Sequence, residues 1–477
     1  MKIPKAIPSP RRPSKSTRVE RDTMGEMVVP MSALYGAQTA RAVENFPISG
    51  LRAHPAFVDA TVRVKLAAAR VNGRLKLLPP KKAKAIEQAA REVLDGKWRD
   101  QFVIDVYQAG AGTSHHMNVN EVLANRACLI LGGRPGDKAV VDPNDDVNLG
   151  QSTNDVIPTA MRLAALDLAP VAVEALQALA DTFQQKAEDW DGIVKAGRTH
   201  LMDATPIRLG QEVSGWAAAL RSAAVRVLNA LPEMGALGIG GTAVGTGLNA
   251  DPRYAALMVE ELGRLTGAPL VLAPNAFYAM QSLAPFAALS GTLRVAALEL
   301  LRIGGDVRLL GTGPNTGLGE LRLPPVQPGS SIMPGKVNPT MAEMLAMVSY
   351  QVLGLDGAIA AAVGGGQLEL NVMMPLVAFD LCHALTILAN GVRAFDERCA
   401  QGLEADEARC RHYAERTVSL ATALAPRIGY AAAAEIVKES VRSGRSIVDL
   451  AEEKAGLRAG EARRLLDPAK LTRSGRA

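Results

Sequence analysis

The chain has 477 residues, 48% of them hydrophobic but only 4% aromatic, and a formal net charge of +5. Lys2, Lys5, Arg11, Arg12, Lys15 and Arg18 lie in an acid-free stretch at the start, which leaves −1 for the rest, so the body carries no nucleic-acid footprint. A core short of aromatics must be built from Ala, Leu, Val and Met, which favours packed helices over sheets.

Residues 1–18 contain Pro4, Pro8, Pro10 and Pro13 and no apolar core, so a disordered basic tail is expected and no secretory signal. An N-terminal domain over 19–150 mixes short apolar runs and turns with a helical stretch from Ala56 to Leu77. The next helix follows Asn154, with Asp155 as N-cap and Pro158 in the first turn, and runs to Trp190 with a kink at Pro170. Further long helices are predicted over 206–231, 277–311, 339–362 and 371–400, making 151–399 a central helical domain. Shorter Arg- and Glu-rich helices follow in a small domain over 400–477.

The long helices are Ala-rich and apolar on too many faces for one chain to cover, which calls for packing against other subunits. Arg, Glu or Asp interrupts each long apolar stretch, so no membrane span is expected. Cys128, Cys382, Cys399 and Cys410 show no metal or redox spacing, so reduced buried thiols and a cytoplasmic location are expected.

Unusual residues collect in the breaks Gly197–Thr205, Gly238–Asn249 and Gly311–Lys336. The most informative segment is Gly329-Ser-Ser-Ile-Met-Pro-Gly-Lys-Val-Asn-Pro339, whose prolines exclude a helix or central strand. Lys336 and Asn338 offer donors to an anion, and Ser330 or Ser331, if deprotonated, is a base. The glycine run Gly238–Gly247 lacks the strand–turn–helix setting and Gly-Lys-Ser/Thr ending of a phosphate loop, and is read as the wall of a site. His115 and His116 have no third metal ligand at useful spacing.

The Gly329–Pro339 loop resembles the signature of the aspartase/fumarase superfamily. Three more segments carry the likeness, which extends from about Val19 to Leu466: Gly110-Ala-Gly-Thr-Ser-His-His-Met-Asn, Gln151-Ser-Thr-Asn-Asp and Gly197-Arg-Thr-His-Leu-Met-Asp. The resemblance implies an all-α subunit with a central five-helix bundle, four subunits joining into a twenty-helix core. It also implies active sites shared between subunits, a small dicarboxylate substrate, and no cofactor or metal. By the same resemblance Ser330 removes the Cβ proton and Lys336 and Asn338 hold the substrate carboxylate, with Ser331 and Val337 beside them and Glu343 in support. Thr113, with Ala111 and Gly112, binds a carboxylate. Ser152, Thr153 and Asn154 supply hydroxyl and amide contacts, and Thr199 and His200 reach the site from a loop, His200 acting on the water or leaving group.

Asp22-Thr-Met-Gly-Glu, Gly36-Ala-Gln-Thr, Asn45-Phe-Pro-Ile, Glu212-Val-Ser-Gly-Trp and Ala273-Pro-Asn-Ala-Phe resemble the fumarase side of the superfamily. Ala111-Gly-Thr-Ser, Gln151-Ser-Thr-Asn and Gln367-Leu-Glu-Leu-Asn-Val-Met resemble the aspartase side. Fumarate hydration is therefore expected, with aspartate deamination as the alternative. Relatives that became lens structural proteins lost catalytic residues; here Ser330, His200, Lys336 and Asn338 all remain. Three positions depart from the family pattern: His116 stands for a usual Asn, Asn315 for a usual Arg, and Asp142 for a histidine of an accessory anion site. That second site would use Asp142, Asn144 and Asp145.

Overall fold

The computed structural model describes residues 16–458 and 460–473, so the tail expectation lies outside the described residues up to position 15. Its last residues do not fit that expectation. Strand β1 (Thr17–Asp22) pairs antiparallel with β2 (Gly25–Pro30), placing Thr17 opposite Pro30 and Arg18 opposite Val29. The Arg18 guanidinium donates to Glu20 and to the carbonyls of Pro30, Met31 and Tyr35, so the ordered chain starts before residue 18.

Helix α1 (Ala37–Asn45) has no cap of its own, and its free N–H groups are met from a distance. The Glu121 carboxylate accepts from the amides of Gly36, Gln38 and Thr39 and from the Thr39 hydroxyl. Next come α2 (Pro55–Arg74), α3 (Pro80–Leu94) and α4 (Thr113–Ile130). On α2, Val58, Val62, Leu66 and Ala69 form a stripe at helical spacing. It packs with Ile86, Ala89 and Val93 of α3 and Val119, Val122 and Leu123 of α4 in one buried cluster.

Helix α5 (Thr153–Asp189) starts ahead of the predicted cap. Ser152 is the cap: its hydroxyl accepts from the Asn154 amide while Asp155, three residues on, accepts from the Ser152 amide. The helix runs on through Pro158 and Pro170. The predicted break at Gly197–Thr205 is instead an antiparallel hairpin of β3 (Val194–Thr199) and β4 (Met202–Arg208), with a register shift between Ala196 and Arg198. A Cβ on Gly197 would stand 2.5 Å from the Thr205 carbonyl oxygen, so only glycine permits the pairing.

Helix α6 (Leu209–Met234), the two-residue strand β5 (Ala236–Leu237), α7 (Tyr254–Thr266) and strand β6 (Val271–Leu272) follow. The single helix predicted over 277–311 is two, α8 (Ala276–Gln281) and α9 (Ala284–Leu310). Pro285 at the second position of α9 has no N–H and would clash with a carbonyl one turn back, so α8 cannot continue. Strand β7 (Leu321–Arg322) leads to α10 (Thr340–Val363) and α11 (Met374–Phe395). Then β8 (Glu404–Ala405), which pairs with β7, precedes five short helices, α12 (Glu407–Arg416) to α16 (Glu461–Leu465).

Two compact units emerge. One holds residues up to Ala172, Arg226–Arg294 and Gln351–Ile387; the other holds Val173–Val225, Val295–Tyr350 and the chain from Leu388 on. The expected N-terminal segment 19–150 falls in the first and 400–477 in the second, while 151–399 is divided. The first unit carries the cluster of α2, α3 and α4; the second has a small core around Leu420, Leu424, Ile436, Leu450 and Leu466.

The expectation that no helix is fit to span a membrane needs correction. By length and composition alone, residues 153–189, 284–310, 340–363 and 374–400 qualify, because their charges are too sparse to break an 18-residue window. Several of those charges find protein partners: Arg162 donates to the Glu233 carbonyl, Asp167 pairs with Arg63, and Asp356 accepts from Ser290 and Arg294.

Candidate active site

In the first unit, the chain enters α4 through a tight turn. Ala111 has φ 61° and Gly112 φ 85°, and the Ala111 amide donates to the Val372 carbonyl at 2.9 Å. A Cβ at Gly110 would come 2.9 Å from the Val372 side chain, so the glycine is a packing requirement. The turn leaves Thr113 exposed at the first position of α4, where the free N–H groups favour an anion.

Ser152, Thr153 and Asn154 sit half-buried at the start of α5. The Gly238–Gly247 loop is tied to them. Asp155 accepts from the Gly240 and Thr242 amides at 3.0 and 3.1 Å, and the Asn154 side chain donates to the Ala243 carbonyl at 2.7 Å. The glycine run is thus fixed to the start of α5. Burial raises the Asp155 carboxyl to about 6, against the pull of its three backbone donors.

Behind Thr153 lies a residue that sequence reasoning passed over. Lys65 is wholly buried on α2, and its ammonium reaches His116 Nε2 at 2.6 Å, Asn148 Oδ1 at 2.8 Å and Gln151 Oε1 at 2.9 Å. His116 Nδ1 in turn lies 2.7 Å from Thr153 Oγ1. Burial depresses both Lys65 and His116 well below their ordinary values, and Asp155 opposes the effect on Lys65. The one signal in the sequence was a single lysine in the otherwise apolar run Val64–Ala69. His115 is structural: it stacks on Phe57 at 4.4 Å, contacts Thr61 Oγ1, and burial lowers it to about 3.

The proposed second anion site is filled by the chain itself. The Asp142 carboxylate accepts from the amides of Asn144 and Asp145, at 2.7 and 3.0 Å, capping the short turn Pro143–Val147. The N–H groups an anion would need are taken, and a further carboxylate stands among them. This arrangement argues against a second anion site at Asp142, Asn144 and Asp145.

In the second unit, His200 and Leu201 form the two-residue tip of the β3–β4 hairpin, Thr199 opposing Met202. Both tip residues have positive φ, 55° and 59°, the requirement of a two-residue hairpin turn that usually selects Asn or Gly. Holding histidine and leucine there is strained, and the hairpin stem is anchored accordingly. Arg198 donates to Glu320 and lies over the Tyr413 ring, and the buried Lys195 ammonium pairs with Glu212 and Glu320. Thr199 and His200 stay exposed, with Leu201 and Met202 at 71% and 70% exposure.

The signature loop closes on itself. The Gly329 amide donates to the Lys336 carbonyl and the Asn338 side chain donates to the Gly329 carbonyl, both at 2.8 Å. Ser330 Oγ accepts from the Met333 amide at 2.9 Å and the Ile332 amide at 3.2 Å. Ser331, Lys336 and Val337 are exposed around the loop, and Glu343 follows in the first turn of α10. The arrangement presents a serine oxygen already facing two N–H dipoles, in a loop that also carries the exposed Lys336. It suits abstraction of a weakly acidic proton next to a carboxylate.

Residues 25–354 match the family described as Lyase, and residues 420–473 match the family described as Fumarase C C-terminus. The chain belongs to the aspartase/fumarase lyases. A class II fumarate hydratase of Ralstonia nicotianae is 47% identical over 437 residues, 91% of this chain and 95% of that protein. An aspartate ammonia-lyase of Bacillus subtilis (strain 168) is 43% identical over 461 residues, 97% of each chain. The crystal structure of a recombinant class II fumarase from Schistosoma mansoni superposes with a TM-score of 0.92 at 36% identity, covering 96% of this chain and 99% of that one. The all-α fold of the family is therefore the fold of this chain.

Proposed function

We propose that this lyase is a fumarate hydratase, interconverting fumarate and L-malate. The observation that carries the chemistry is Ser330 Oγ receiving two backbone N–H groups. Those donors stabilise an alkoxide, lowering the cost of using serine to take the Cβ proton. Lys336 and Asn338 hold the carboxylate on which charge accumulates after proton removal, and fixed donors there favour the intermediate over the substrate. Thr113, Ser152, Thr153 and Asn154 supply further polar contacts to a substrate, as the family likeness implies. His200 protonates the departing hydroxide or orients the attacking water, a step that water elimination needs. The choice of water over ammonia is supported by the Ralstonia relative's identity and by the match at the C-terminal segment.

The second reading, aspartate ammonia-lyase, is favoured by one observation, the Bacillus subtilis relative matched over nearly the whole chain. Mixing the protein separately with L-malate and L-aspartate and following the ultraviolet absorbance of fumarate tests both. Fumarate from malate alone supports the hydratase; fumarate from aspartate alone overturns it.

The working form is a cytoplasmic homotetramer whose active sites join segments of three subunits. Exposed apolar side chains on the long helices support the assembly: Val225 and Leu228 on α6, Leu298 on α9, Met347 and Tyr350 on α10. The reducing compartment is supported by the four buried, unpaired cysteines. Sedimentation of an active monomer would refute the shared sites.

A further inference from the structure

Lys65 has no exposed surface and no task in the proposed reaction; burial depresses its ammonium, while the nearby Asp155 carboxylate and three aligned neighbours favour keeping the charge. Its three neighbours can each accept from one N–H of an ammonium, His116 doing so in the tautomer that leaves Nε2 bare. Two of them cannot turn round. The Asn148 side-chain nitrogen donates to the Gln151 carbonyl, and the Gln151 side-chain nitrogen donates to the carbonyls of Val147 and Leu149, so both amide oxygens face Lys65. The third neighbour is His116, buried on α4, whose other ring nitrogen meets Thr153 Oγ1 at 2.7 Å.

We propose that Lys65 and His116 form a positioning relay that aims the Thr153 hydroxyl proton at the substrate carboxylate. The proposal rests on the dicarboxylate reading of the site. Its logic is one of direction. An ammonium on Lys65 donates to His116 Nε2, so the neutral imidazole must carry its proton on Nδ1. That N–H donates to Thr153 Oγ1, and the threonine proton is forced to the opposite side. Thr153 is half-exposed at the start of α5, and the relay requires its exposed side to be the one that meets substrate. If Lys65 were a neutral amine, the chain would reverse: His116 would donate to Lys65, Thr153 would donate to His116, and a lone pair would face the substrate carboxylate.

The titratable groups acting on the relay are His115 on α4 and Asp155 on α5, with Tyr254 on α7 acting on Asp155. Asp155 is the one carboxylate among them and offsets the lysine charge. Asparagine at position 116 preserves the polarity of the relay, because one amide both accepts and donates. Leucine preserves the bulk and loses the polarity.

The test reads the tautomer and the binding separately. Nitrogen-15 NMR of the full-length protein labelled at histidine, with the His116 signal identified by its loss in His116→Asn, should show an Nδ1–H imidazole that does not titrate between about pH 6.5 and 8.5. An Nε2–H tautomer or an imidazolium overturns the relay whatever the enzyme's substrate proves to be. In kinetics with malate and fumarate, His116→Leu should raise KM roughly 10–100-fold, the worth of a hydrogen bond to a charged group. His116→Asn should stay within about threefold of the parent. A leucine variant with parental KM refutes the role, and if that variant fails to fold the tautomer measurement decides alone.

Discussion

Gly329→Ala puts the geometry of the signature loop to a direct test. A Cβ at this position would lie 2.6 Å from the Lys336 carbonyl oxygen, 2.8 Å from the Asn338 amide nitrogen and 3.1 Å from the Asn338 side chain. Ordinary contact begins at 3.4 Å, so the loop must open by about 0.8 Å or more on the Lys336 side. Opening breaks the Gly329–Lys336 and Asn338–Gly329 hydrogen bonds, the two that hold Ser330, Lys336 and Asn338 in one frame. Misplacement of reacting groups by about 1 Å costs on the order of 10²-fold in rate, so kcat/KM should fall by about that factor. The loop is mostly exposed and buries no apolar core, so the melting temperature should move by no more than a degree or two, roughly. Gly335→Ala is the matched control. Nothing lies within 4 Å of its Cβ, but φ is +79°, so the change imposes backbone strain of about 1 kcal/mol without a clash. Steady-state kinetics beside thermal unfolding separates the two cases. A Gly329→Ala enzyme with parental kcat/KM, or one that unfolds, refutes the reasoning.

Ser330→Ala should abolish most turnover while largely sparing substrate affinity, because it removes proton transfer and not an anion contact; near-parental turnover would mean that another group is the base. His200→Asn should slow malate dehydration by about 10²–10⁴-fold, but have a far milder effect on aspartate deamination, where ammonia leaves without a proton. Arg18→Ala should destabilise the protein by about 1–3 kcal/mol by denaturant titration, since it strips donors from Glu20 and three carbonyls; no change would return residue 18 to the tail. Asp155 titrates near 6 when folded against 3.8 as a free group, so its protonated form is favoured by folding. Stability from this group is present below about pH 4 and lost as pH rises through 6, by roughly 2–3 kcal/mol. Asp155→Asn removes that slope, so the parent-minus-variant difference in unfolding free energy should fall across this window; a flat difference contradicts the burial argument.

What could be read from the chain before its structure depended on how local the cause was. The long helices were legible because periodicity and small residues specify them over many turns, and the ends went wrong where one residue decided. Pro285 split a predicted helix by sterics alone, and Ser152 displaced Asp155 as cap because its hydroxyl takes the Asn154 amide while Asp155 turns back to accept from the Ser152 amide. The Gly329–Pro339 loop was legible for a different reason: its glycines and prolines state the backbone conformation directly. Relations across the fold were invisible. Glu121 caps a helix more than 80 residues away, and Lys65 contacts His116, Asn148 and Gln151 from 51 to 86 positions off. The hairpin tip at His200 was read as a loop, since neither histidine nor leucine announces a turn that needs positive φ at both places. That misreading is itself informative. A turn that glycine or asparagine would satisfy without strain has kept histidine, and the stem beneath it is fixed by Arg198, Lys195 and Glu320. Strain held by a buried ionic anchor has its natural explanation in the side chain it presents, and here that side chain is the exposed imidazole to which the proton transfer is assigned.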